Sequence, residues 1–155
     1  RAYRTRARAR CKLGDYDGAQ ADFERALDIR PDDAICCGWL GHVHEKKGDP
    51  ATAEQWYTRA IALNAEDANF HPGRAKQRYR LGRHEQAIAD ATAAIELAAE
   101  LIDAYRIRAL AAAALERRAD ARRDLRAYRS HGGEMDDELR AAEQTLREHH
   151  DAPTP

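Results

Sequence analysis

Apolar residues recur along this chain at the spacing of a helix face. Ala19, Phe23 and Leu27 lie four residues apart, so they share one side of an α-helix. The turn sequence KLGDYDGA precedes this helix. Its Gly14 is the residue type that ends a helix, and its aspartates can cap the next one. Pro31 then stops the second helix. The pattern predicts two helices joined by a short turn.

The predicted helix pair repeats with a period of 34 residues. Glycine returns at the turn, and alanine returns where two helices must cross closely. A bulky residue returns where one pair must fill the gap to the next. Several independent columns that share one period indicate a tandem repeat. These columns are Gly14, Gly48 and Gly82; Ala19, Ala53, Ala87 and Ala121; Ala26, Ala60 and Ala94; and Phe23, Tyr57 and Leu125.

The repeating unit resembles the tetratricopeptide repeat. The segments LGDYDGA and ADFERALDIRP carry the resemblance, with their echoes KGDPATA, EQWYTRAIALN, LGRHEQA and ADATAAIEL. The resemblance implies an all-α fold, a right-handed α-solenoid of stacked antiparallel helix pairs known as a TPR superhelix. It divides residues 1–134 into four units, which are 1–33, 34–67, 68–101 and 102–134.

The fourth unit departs from this pattern. Glu116 stands where glycine is usual, and Tyr128 stands where a small alanine is usual. The junction LAAELIDAY, before this unit, contains no proline or glycine. The residues of that junction would therefore allow the helices on either side to run together.

A further helix is predicted after the fourth unit. Asp136 is a plausible N-cap for a C-terminal capping helix over residues 135–150, which would cover the last apolar surface of the solenoid. Residues 151–155, DAPTP, are predicted to be a disordered tail. The whole pattern predicts nine helices and no strand. The apolar face of the last helix would consist of Met135, Leu139, Ala142 and Leu146.

The stretch CCGWLGHVH, residues 36–44, contains two cysteines and two histidines, a common set of zinc ligands. In the predicted register it lies inside one helix, where only residues three or four apart share a face. No cysteine–histidine pair here has that spacing. Cys37, Leu40 and His44 instead fall on the inward stripe, which predicts buried thiols. A metal site would need ligands from another helix, so we expect no metal.

Composition narrows the function classes. The 26 basic and 27 acidic residues leave a net charge of −1, which argues against a nucleic-acid partner or a membrane surface. Three cysteines form an odd and sparse set that fits a reducing, cytoplasmic compartment. The arginine and alanine bias is typical of a GC-rich bacterium. No nucleophile–base pair or glycine-rich phosphate loop is present, so we expect no enzyme and no cofactor.

The resemblance implies a binding surface on the concave face, where family members hold peptides with the first helix of each unit. At the corresponding positions this sequence has paired cations beside one tryptophan. These groups suit an acidic or C-terminal-carboxylate peptide, because cations form charge-assisted hydrogen bonds with carboxylates and an exposed tryptophan offers a flat apolar anchor. The predicted site residues are Arg4, Arg8, Lys12, Trp39, His42, Lys46, Lys76, Arg80 and Arg106.

The carboxylate clamp of chaperone-binding family members does not carry over. Trp39 stands where that clamp needs asparagine, and Asn69 and Gly73 stand where it needs cations. In the fourth unit, Ile107 and Leu110 occupy groove positions, which predicts that this end of the groove prefers apolar side chains or docks another domain.

Two alternatives stay open at this point. Lysine near a helix C-terminus is favoured by the helix dipole without any ligand, so the cation columns fit a solvated face equally well. The alanine-rich fourth unit and the last helix also suit self-association into a homodimer. RNA binding by a related helical-repeat family would predict a period of 35 rather than 34, and we do not expect it.

Overall fold

The computed structural model describes residues 1–148, and this part of the chain folds into nine α-helices without a strand. Connections of three to six residues join consecutive helices. None of the nine helices is long and apolar enough to cross a bilayer. Their bounds are α1 Ala2–Lys12, α2 Tyr16–Ile29, α3 Ala34–Lys46, α4 Pro50–Leu63, α5 Phe70–Arg80, α6 His84–Leu97, α7 Ile102–Ala114, α8 Arg118–Ser130 and α9 Asp137–Glu148.

The helices stack in two layers. Each helix packs against the next one along the chain, and the odd-numbered helices α1, α3, α5, α7 and α9 also contact one another in that order. We call these odd-numbered helices the inner helices and α2, α4, α6 and α8 the outer helices. Two helices fall within each of the ranges 1–33, 34–67, 68–101 and 102–134. The predicted all-α solenoid is confirmed.

The turns between the helices of a unit depend on a left-handed residue. Gly14, Gly48 and Gly82 have φ values of 78°, 78° and 74°, a conformation that glycine adopts without steric cost. Aspartate then caps the following helix in the first two units, where Asp15 accepts a hydrogen bond from the Gly18 amide and Asp49 from the Thr52 amide. In the fourth unit Glu116 takes the same backbone conformation, with φ of 57°.

Small residues allow the two layers to approach closely. The alanines of the 19-53-87-121 column are completely buried, as is Ala7 on α1. Larger side chains fill the remaining gaps, chiefly Phe23, Leu40 and Leu139, which are also completely buried. Because each inner helix packs on the preceding pair as well as on its own partner, the core continues along the stack.

The junction before the fourth unit breaks despite its lack of proline and glycine. Helix α6 ends at Leu97 and α7 begins at Ile102, so the two helices do not run together. Ala98 adopts an extended conformation, with φ of −152° and ψ of 97°. This turn lets α7 fold back on α6 and bury Ala91 and Ala104 in one cluster. Tertiary packing therefore sets this helix boundary.

Buried ion pairs connect the two helices within three of the units. Asp22, Asp90 and Asp124 on the outer helices are almost completely buried, and each accepts two hydrogen bonds from one arginine of the preceding inner helix. Planar guanidinium groups match carboxylates in this two-pronged geometry. The second unit has Leu40 and Trp56 at the equivalent positions. The arginines are Arg6, Arg74 and Arg108.

Helix α9 covers the end of the stack. The Asp136 side chain caps α9 by accepting a hydrogen bond from the Leu139 amide at 2.9 Å. On the face of α9 that packs against the stack, Leu139 and Leu146 are buried. Tyr128 fills the space at the turn before α9, where its hydroxyl donates to the Glu134 carbonyl at 2.9 Å. The predicted end of the capping helix at residues 149–150 and the predicted tail at 151–155 lie outside the described residues.

Candidate functional site

The inner helices line two adjoining cavities, which together we call the concave groove. The larger, of about 980 Å³, extends from α3 to the segment before α9, and we call it the charged cavity. The smaller, of about 460 Å³, lies between α1, α3 and α5, and we call it the aromatic cavity. His42, Tyr57 and Asn69 line both cavities, so the groove is continuous.

Trp39, which is half-buried, lines the aromatic cavity. Its ring stacks on Phe23 with centroids 6.1 Å apart, and it meets the edge of His42 at 5.7 Å. The Arg8 guanidinium lies 5.5 Å from the Trp39 ring centroid, a cation–π contact. Ile35, 45% exposed, adds an aliphatic side chain to the same cavity. The cavity therefore offers an apolar surface with one cation at its edge.

Glycines bring aromatic rings to the floor of the groove. A Cβ atom added at Gly73 would lie 2.5 Å from the Tyr57 ring, and one at Gly38 would lie 2.5 Å from the Phe70 ring. Neither distance is compatible with a real side chain, so glycine is required at both positions. The rings thus pack directly on the backbone of the inner helices and leave the groove open above them.

The floor of the charged cavity holds a neutralised ion pair. Lys76 Nζ lies 2.6 Å from a carboxylate oxygen of Glu45, whose side chain is 9% exposed. The Tyr57 hydroxyl donates to the same carboxylate at 3.5 Å, and burial together with Glu45 raises the pKa of Tyr57. Burial lowers the pKa of His42 beside this pair, so His42 is neutral at pH 7. The predicted cation Lys76 is already paired within the chain.

Two more of the predicted cations connect neighbouring units. Arg4 pairs with Asp33 at 3.0 Å, and Asp33 also caps α3. Arg106 pairs with Asp136, the cap of α9, and with Glu138 at 2.8 Å. Both arginines thus bind the cap of the next inner helix, so each already has a carboxylate partner within the chain.

Three predicted cations remain available to a ligand. Lys12, Lys46 and Arg80 are exposed at the C-terminal ends of α1, α3 and α5. Within residues 1–148 none of the three has a hydrogen-bond or ion-pair partner. Lys46 and Arg80 line the charged cavity.

Two apolar residues that were expected at the last part of the groove are almost completely buried. Ile107 and Leu110 are only 3% and 2% exposed, because they belong to core clusters. Leu110 packs in the cluster that includes Leu139 of α9. Little of either side chain is therefore open to a ligand, although Ile107 still lines the charged cavity.

Three acidic residues of the charged cavity were not predicted from the sequence. Glu100 and Asp103 lie at the N-terminal end of α7, and Glu134 lies before α9. Their side chains have no hydrogen-bond or ion-pair partner in the described part of the chain. Asp103 could have been found from the sequence, because it occupies a groove position of the repeat. Glu100 and Glu134 lie in connections between helices, outside the repeat columns of the inner helices.

The cysteines lie in the core. Cys11, Cys36 and Cys37 are free thiols and all three are buried. Burial raises the pKa of Cys36 to about 12, so its reactive thiolate is scarce near neutral pH. Across residues 1–148, no group of three or more His, Cys, Asp or Glu side chains is placed to hold a metal ion.

Comparison with known proteins bears on this arrangement. Residues 4–68 match the family model described as Tetratricopeptide repeat. No curated protein matches the sequence.

Solved structures match over most of the chain. The TPR domain of Arabidopsis OM64 is 28% identical, with a TM-score of 0.69 over 75% of this chain and 95% of that domain. The TPR2B domain of yeast Sti1, solved in a pHsp70 complex, is 28% identical, with a TM-score of 0.65 over 77% and 98%. A tetratricopeptide repeat protein from Parabacteroides merdae has a TM-score of 0.78 over 97% and 60%, but at 20% identity it shows the fold alone.

Proposed function

This chain belongs to the tetratricopeptide repeat family, and from that premise we propose that its concave groove holds an extended segment of a partner protein. The chain then acts as a non-catalytic interaction scaffold. The observation that carries the proposal is the continuous pair of cavities along the inner helices, with a combined polar and aromatic lining. Pockets that bind ligands combine apolar surface with a few polar groups in this way.

Each cavity suits a different part of the partner segment. Trp39 and Ile35 provide apolar area for an aliphatic or aromatic side chain, and Arg8 can pair with a carboxylate beside it. Lys46 and Arg80 remain free to pair with acidic side chains in the charged cavity. Lys12 extends this row of cations towards the first unit.

The yeast TPR2B structure, which was solved as a complex with pHsp70, supports the general mode of binding. The detailed contacts must differ here. Asn69 and Gly73 stand where the family's carboxylate clamp needs cations, and Arg4 and Arg106 are paired with Asp33 and Asp136. We therefore do not propose a chaperone C-terminus as the partner.

A displayed library of random twelve-residue peptides tests the proposal. Peptides selected on the unmodified chain are measured by fluorescence anisotropy against a Lys46→Glu, Arg80→Glu variant. The matched control is Arg126→Glu on outer helix α8, since Arg126 is also exposed. We expect the groove variant to bind about tenfold more weakly, because two favourable charge contacts become repulsive. The control should bind as the unmodified chain does.

Two results would contradict the proposal. One is equal binding to the groove variant and the unmodified chain. The other is the absence of a cross-link to the selected peptides when a photoreactive residue replaces His42 in the groove.

A further inference from the structure

Topology gives the concave groove two different edges. Consecutive helices are antiparallel because short connections join them, so the inner helices all run in the same direction. Their C-terminal ends therefore lie along one edge of the groove, and their N-terminal ends lie along the other. Helix dipoles place partial negative charge on the first edge and partial positive charge on the second.

The free charges of the charged cavity follow these edges. Lys46 and Arg80 lie at the C-terminal ends of α3 and α5. Glu100 and Asp103 lie at the N-terminal end of α7, and Glu134 lies in the connection before α9. We call the first pair the cationic edge and the other three residues the anionic edge.

The charged groups on the floor between the edges are paired with one another, and together they carry one excess negative charge, because Arg106 has two carboxylate partners. Lys76 is paired with Glu45, and Arg106 is paired with Asp136 and Glu138. The fixed charges that a ligand would meet are therefore mainly those of the two edges. A purely acidic segment would be attracted by the cationic edge and repelled by the anionic edge.

We propose that the segment bound in the groove is bipolar, with an acidic side chain at the cationic edge and a lysine or arginine at the anionic edge. This inference rests on the proposed function and replaces the simpler expectation of an acidic peptide. Charges of opposite sign on one ligand also fix its direction in the groove, because the reversed orientation places like charges together.

The structure also sets the spacing of the two charges. Arg80 ends α5, and Asp103 lies at the start of the neighbouring α7. By the rise of 1.5 Å per residue, the 11-residue α5 separates the edges by roughly 15 Å. An extended peptide covers that distance in about five residues. The acidic and basic residues of the bound segment are thus expected about five positions apart.

The selected peptide library provides the first readout. We expect selected peptides to pair an acidic residue with a basic one about five positions away. The affinity of the strongest such peptide is then measured for a Glu100→Lys, Asp103→Lys variant. The same measurement is made with a second peptide, in which glutamate replaces the basic residue. The matched control is Asp28→Lys, Glu96→Lys, which reverses two exposed acids on outer helices.

The expected pattern is reciprocal. Reversing the anionic edge should weaken binding of the bipolar peptide about tenfold, and the glutamate-substituted peptide should recover that loss on the same variant. The outer-helix control should change neither affinity.

The outcomes separate this inference from the proposed function. The selected peptides could be purely acidic, or only the Lys46→Glu, Arg80→Glu variant could lose affinity. Either result would show that the groove binds peptides but that the proposal of a bipolar segment is wrong. If neither edge variant loses affinity, the groove is not the binding site and both proposals fail.

Discussion

Replacing Glu116 with glycine should stabilise the chain. Glu116 has φ of 57°, a left-handed conformation that costs an L-residue about 1 kcal/mol or more. Its side chain is exposed and has no hydrogen-bond or ion-pair partner among residues 1–148, so its removal sacrifices no such contact. Glycine is more flexible in the unfolded chain, which offsets part of the gain. We expect a net increase of about 0.5–1 kcal/mol in the free energy of unfolding.

Urea denaturation followed by far-ultraviolet circular dichroism measures this change. Gly82→Ala is the matched control, because Gly82 occupies the same turn of the preceding unit with φ of 74°. A Cβ atom at Gly82 would have no neighbour within 4 Å, so the substitution tests backbone conformation without steric clash. We expect it to destabilise the chain by about 1 kcal/mol. If Glu116→Gly lowers the midpoint while Gly82→Ala leaves it unchanged, the argument from left-handed strain is refuted.

Three further predictions concern buried groups. Asp90→Ala should lower the free energy of unfolding by about 3 kcal/mol in urea denaturation, because it leaves the largely buried Arg74 without its carboxylate and Arg78 with Glu54 alone. A loss below about 1 kcal/mol would show that the pair behaves as an exposed one. A hydrogen bond from Arg6 lowers the pKa of Asp22. The contribution of Asp22 to stability is therefore complete above the unfolded pKa of about 4, and it is lost as pH falls through the lower folded value. Asp22→Asn should flatten this acid dependence of the free energy of unfolding, measured from pH 5 downwards. Cys36 should resist iodoacetamide at pH 8 until urea unfolds the chain, and rapid labelling of the native protein, read by peptide mass spectrometry, would contradict its burial.

Helix positions and turns could be read from the sequence because they depend on local chemistry. Gly14, Gly48 and Gly82 stand at left-handed turns, and short-range spacing places Cys37 and Leu40 on the buried face of α3. These features depend on residues that are near one another in the sequence, so the sequence of this chain is enough to predict them.

The candidate site was harder to predict because periodicity identifies a helix face but not the groups opposite it. Arg4, Lys76 and Arg106 occupy groove columns, yet Asp33, Glu45 and Asp136 from neighbouring units already bind them. Burial of Ile107 and Leu110 likewise depends on helices distant in the chain. Only the stacked structure shows which cations remain free.

The sequence by itself determined the helical repeat, its period and its left-handed turns, since each follows from residue spacing and backbone preference. The tertiary structure alone decided which groove cations are paired within the chain and how the remaining charges divide into a cationic and an anionic edge. The physical reason is that electrostatic pairing and close packing act between residues about 30 positions apart, as between Arg4 and Asp33, where local pattern carries no information about distance.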